Sequence, residues 1–84
     1  MAHVLLTPAA QEQLRELPEV IEARVRDIFT RLEKWPAVSG AKPLRGVLAG
    51  RYRIRTGDYR VQFYLRGEDV IIEKLGKRDR FYEE

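Results

Sequence analysis

Residues 51–75 hold the pattern that most constrains the fold. Arg51-Tyr52-Arg53-Ile54-Arg55 alternates strictly, so as a strand it sends three arginines to one face and Tyr52 and Ile54 to the other. Thr56-Gly57-Asp58 reads as a turn. Tyr59 to Leu65 then reads as a second strand, with Val61, Phe63 and Leu65 opposite Arg60, Gln62 and Tyr64. Arg66-Gly67-Glu68-Asp69 turns again, and Val70 to Leu75 is a third strand that starts apolar on both faces. Three consecutive strands with short turns form an antiparallel meander, which needs cover on its apolar face to be stable.

The cover comes from residues 8–33. His3 to Leu6 is a short strand, after which Thr7 suits an N-cap and Pro8 the first helical position. Ala10, Leu14 and Leu17 share one side of a helix that Pro18 ends. Ile21, Val25, Ile28, Phe29 and Leu32 repeat at helical spacing in a second helix, with Glu22, Arg24, Arg26, Asp27, Arg31 and Glu33 on its wet side. Lys34 to Lys42, with Pro36, Ser39 and Gly40, reads as a loop, and Lys77 to Glu84 as a charged tail. The expected fold is α+β: strand, helix, helix, then the meander, with the helical hairpin packed on one sheet face.

Residues 1–84 are expected to form a single domain with one modest core. The composition, 44% hydrophobic and 35% charged, supports folding rather than disorder. The lack of cysteine excludes disulfides, thiolate nucleophiles and zinc ribbons. The apolar run Val4 to Leu6 is too short for a secretory segment, and the uncharged stretch Trp35 to Ala41 carries Pro36 and Gly40. The chain is expected to be soluble and cytoplasmic, with no membrane partner.

Charge divides unevenly along the chain. Residues 1–41 carry five Lys/Arg and six Asp/Glu, a net −1, whereas residues 42–84 carry eleven and seven, a net +4. An arginine-rich half suits a polyanion such as nucleic acid, and a solubilising surface is the alternative. Nucleophilic and metal chemistry find little support. Ser39 lacks a nucleophile elbow, His3 stands alone, and Gly46-Val47-Leu48-Ala49-Gly50 lacks the lysine and spacing of a phosphate loop. Asp58 and Asp69 fit turn capping. No metal, nucleotide or other small-molecule cofactor is expected.

The arginine row remains. Alternate residues on one strand face lie about 6.6–6.8 Å apart. A tight hairpin at 56–58 would bring Arg60 across from Arg51, Arg53 and Arg55. Crowded guanidinium groups repel one another unless phosphates fill the gap, and guanidinium matches phosphate bidentately. Tyr64 shares Arg60's face, and Tyr82 follows Arg78 by four residues, so either could stack on an exposed base. Neither Arg60 nor Tyr82 belongs to the expected core.

Together these features resemble the RelE/ParE superfamily of toxins from type II toxin–antitoxin modules. The resemblance runs along nearly the whole chain. It includes the Thr-Pro-Ala-Ala helix start, the Leu-Arg-Glu-Leu-Pro break and Lys42-Pro43-Leu44-Arg45-Gly46. More specific are Tyr52-Arg53-Ile54-Arg55, Gly57-Asp58-Tyr59-Arg60-Val61 and Lys77-Arg78-Asp79-Arg80-Phe81-Tyr82. The RelE branch implies an endoribonuclease that enters the ribosomal A site, where the mRNA's own 2′-OH attacks the adjacent phosphate without a metal. Two basic residues of that branch, usually lysines, match Arg53 and Arg55. Its phosphate-stabilising arginine matches Arg60, its leaving-group arginine Arg78 and its base-stacking tyrosine Tyr82. Arg45, Arg51, Lys74, Lys77 and Arg80 are expected to extend the RNA contact. Arginine stays protonated, so Arg53 and Arg55 suit phosphate binding better than general-base work. The implied partners are the ribosome, its mRNA and a cognate antitoxin from a neighbouring gene. The ParE branch implies the same fold with DNA gyrase as target, and a non-catalytic binding homologue is the third alternative.

Overall fold

Two glycine turns build the meander. The structure, a computed structural model, describes residues 2–77. Strand β3 (Arg51–Thr56) joins β4 (Tyr59–Arg66) through Gly57-Asp58, and β4 joins β5 (Asp69–Lys77) through Gly67-Glu68. In each turn the glycine comes first and takes a positive φ, 59° and 62°. That conformation lets a two-residue hairpin follow the twist of its strands. Lys77, read as tail in the sequence, is the last residue of β5.

Two further strands complete a five-stranded sheet of order β1-β5-β4-β3-β2. Strand β1 (His3–Leu6) runs parallel to β5, and β2 (Lys42–Pro43) runs antiparallel to β3. The sequence reading places Lys42 in a loop. It pairs with Arg53 instead, and Pro43 is tolerated because β2 is an edge strand.

Helices α1 (Pro8–Arg15) and α2 (Glu19–Leu32) cover one sheet face. Thr7 caps α1 as its sequence position suggests, its hydroxyl oxygen accepting from the Ala10 N–H at 3.1 Å. Leu14, Val25, Ile28 and Leu32 from the helices meet Ile54, Val61, Phe63, Ile72 and Leu75 from the sheet. Trp35 packs edge-on to Tyr52 and Phe63 at 4.9 and 5.4 Å between ring centres, and Tyr52 stacks on Phe63. Burying each large side chain contributes about 1.5–3 kcal/mol, which fixes the helices to this face. No helix among the described residues is long and apolar enough to cross a membrane.

A β-bulge rephases β5. Gln62 pairs with Lys74 but Phe63 pairs with Ile72, leaving Glu73 as the extra residue. Helix α1 and its cap hold the bulge. The Thr7 hydroxyl donates to the Glu73 carbonyl at 3.0 Å, and the Thr7 N–H donates to the Ile72 carbonyl at 3.1 Å. The Leu75 N–H donates to Gln13 Oε1 at 2.8 Å. The extra residue returns Leu75 to the core and places both Glu73 and Lys74 on the opposite face.

Candidate nucleic-acid interface

The sheet face away from the helices is organised as three cross-strand rows. Paired residues share a face with Cβ atoms about 4.5–5.5 Å apart. The first row runs Leu5, Ile71, Tyr64, Arg51. The middle row runs Lys74, Gln62, Arg53, Lys42, with Glu73 beside Lys74. The third holds Gly76, Arg60 and Arg55. The sheet thus brings together Arg51, Arg53, Arg55, Arg60 and Lys74 from the sequence-based set, and adds Lys42, Gln62 and Glu73.

Arg60 corrects one expectation. It is 6% exposed, so it belongs to the packed interior of the sheet face rather than to an open surface. It lies on β4, the central strand, with β3 and β5 on either side. Arg55, its partner on β3, is exposed. On the other side stands Gly76, where an added Cβ would meet nothing within 4 Å among the described residues.

Arg51 is engaged differently. Its Nε and one terminal nitrogen donate to the two Glu73 carboxylate oxygens, each at 3.0 Å, and its guanidinium lies 5.5 Å from the Tyr64 ring centre. Gln62, only 3% exposed, donates its amide N–H to Glu73 Oε1 at 2.8 Å. The Arg51 hydrogen bonds hold the Glu73 carboxyl below its ordinary value of 4.5, with Gln62 helping and partial burial opposing. A depressed carboxyl stabilises the fold fully above the unfolded-state value and loses that contribution as pH falls through the lower folded-state one. The Tm advantage of the wild type over Glu73→Gln should therefore be constant at neutral pH and shrink in acid, below the ordinary glutamate range. Thermal unfolding of both proteins against pH checks this. The pair is partly exposed, so the contribution is at most about 1 kcal/mol. A Tm difference that grows on acidification would contradict the assignment.

The remaining sequence-based residues fall elsewhere. Arg45 is exposed on the connection from β2 to β3, just before a 3-10 turn at Gly46–Leu48. Lys77 pairs with Tyr59 at the end of β5, out of phase with the three rows. Arg78, Arg80 and Tyr82 lie outside the described residues. A shallow cleft lined by Ala2, Trp35, Leu65, Gly67 and Glu68 includes none of the arginines.

The sheet order and the helix pair define a small α+β fold with a basic sheet face. The chain belongs to the RelE/ParE family: residues 4–82 match the model described as the ParE toxin of type II toxin-antitoxin system, parDE. Toxin RelE of Mycobacterium tuberculosis is 44% identical over 62 residues, 73% of this chain. The match spans 63% of that protein, less than two thirds of its length. In the crystal structure of the M. tuberculosis toxin–antitoxin complex RelBE2, one chain matches with a TM-score of 0.80 and 34% identity, covering 92% of this chain and 91% of that one. The isolated E. coli RelE toxin matches in fold with a TM-score of 0.80 at 20% identity, covering 99% and 90%.

Proposed function

We propose that this protein is the toxin of a type II toxin–antitoxin module and that it cleaves mRNA in the ribosomal A site. The observation that carries the proposal is the pair of cationic rows that meet at Arg53, Arg55 and buried Arg60 on one sheet face. That the relatives are named RelE supports it. The scissile phosphate sits by Arg60, with Arg53 and Arg55 on the neighbouring phosphates. The 2′-oxygen loses its proton, attacks the adjacent phosphorus and breaks the bond to the 5′-oxygen, which takes up a proton. The products are a 2′,3′-cyclic phosphate and a 5′-hydroxyl. Guanidinium groups meet the charge that develops on the phosphoryl oxygens but do not accept the proton. Lys42, paired with Arg53 across β3, places an amine beside the row, and in this reading it is the proton acceptor. Arg78 at the leaving oxygen and Tyr82 beneath the base complete the proposal.

The partner that restrains such a toxin is a cognate antitoxin, as in the M. tuberculosis complex. An acidic segment suits the cationic rows, and the apolar end at Leu5, 44% exposed, lies on the same face.

The deciding experiment is single-turnover cleavage of mRNA programmed in the ribosomal A site, run beside a gyrase supercoiling assay. The expected result is a cut mRNA with a cyclic phosphate end and unimpeded supercoiling. Intact mRNA with blocked supercoiling would move the protein to the gyrase-directed function that the ParE branch implies. Inactivity in both assays would leave a binding homologue.

A further inference from the structure

Two of the three rows are cationic and the third is not. Beyond Arg51 it continues through Tyr64, Ile71 and Leu5. Arg51 is the only cation of that row, and it is bound at both carboxylate oxygens of Glu73. The contact is built rather than incidental. The bulge at Glu73 turns the carboxylate to this face, and Thr7 and Gln13 on the helix side secure the bulge. Buried Gln62 holds Oε1 from a second direction, and the Tyr64 ring lies beside the guanidinium. Arg51 and Glu73 therefore form an ordered, charge-neutral unit next to the two rows that carry Lys42, Arg53, Lys74, Arg55 and Arg60.

We infer that Glu73 sets the length of the phosphate track: by clamping Arg51 it keeps that guanidinium off the RNA backbone, so the track ends at the Lys42–Arg53 row. A phosphate brought to Arg51 would meet the Glu73 carboxylate at the same place and would be repelled. The carboxylate is an acceptor for three hydrogen bonds and faces Lys74 as well, so its role is electrostatic rather than that of a base. The inference rests on the RNA-binding reading above. It makes Glu73 a specificity-determining residue, one that confines phosphate to the rows of Arg53 and Arg60. The first row is left for an uncharged surface.

Salt-dependent binding of a short single-stranded oligoribonucleotide, followed by fluorescence anisotropy, tests this on the full chain. Each phosphate contact to a single strand contributes about 0.7 to the slope of log affinity against log salt. Glu73→Gln keeps the side-chain shape and should steepen the slope by about 0.7, one added contact. Glu12→Gln, the same charge change on α1, should leave it as in the wild type. The double variant Arg51→Ala, Glu73→Gln should lose the gain and return to the wild-type slope. Arg55→Ala, on an exposed row position, should flatten the wild-type slope by about 0.7. A Glu73→Gln slope equal to wild type, or a double-variant slope as steep as that of Glu73→Gln alone, overturns the inference while leaving the RNA reading in place. No salt-dependent binding in the wild type, or no effect of Arg55→Ala, overturns both.

Discussion

Arg60→Ala should lower single-turnover cleavage of A-site mRNA by about 10²–10³, the usual loss on removing one preorganised donor from a site of developing charge. The burial of Arg60 sharpens the expectation in two ways. A guanidinium held between two strands needs little reorganisation to meet a phosphate, which favours a loss in kcat over a loss in KM. Truncating it also leaves space in the packed face, so the variant should unfold at a lower temperature than the wild type. Arg60→Lys separates these effects. It fills the space and keeps the charge but lacks the planar fork, so it should restore much of the Tm while recovering little of the rate. If Arg60→Lys recovers the rate in step with its Tm, the deficit of Arg60→Ala is structural, and Arg60 has no direct part in the chemistry.

The meander and its arginine row were legible because strict alternation over five residues fixes both the strand and its faces. The Thr7 cap and the glycine turns were legible for a similar reason: each depends on residues within three or four positions. What the sequence reading missed depends on more distant partners. Lys42 escaped because two residues carry no period, and only β3 makes a strand of them. Arg60 looked exposed because alternation names a face but does not say that two neighbours will enclose it. Basic charge in the second half counted Arg45 and Lys77 with the rest, although composition carries no phase. The bulge did leave a trace. Val70 and Ile72 keep period two, and Leu75 is apolar one residue out of step. Such a slip in an otherwise buried strand implies an inserted residue. Reading it would have placed Glu73 and Lys74 together on the arginine face.

The lysine exchanged out of β3 leads to the last expectation. The resemblance to the RelE branch matches Arg53 and Arg55 to residues that are usually lysine, and a guanidinium does not give up its proton in a protein. The middle row ends in lysine on both sides, Lys42 beside Arg53 and Lys74 beside Gln62. Lys42 is the lysine paired with Arg53 across β3. Lys42→Arg should therefore keep RNA affinity and its salt slope while losing about 10²–10⁴ in the cleavage rate, the range for general acid–base catalysis. Lys74→Arg should retain both. Equal cleavage by wild type and Lys42→Arg would show that the 2′-oxygen passes its proton to some other group. The two cationic rows would then act on the phosphates by charge alone.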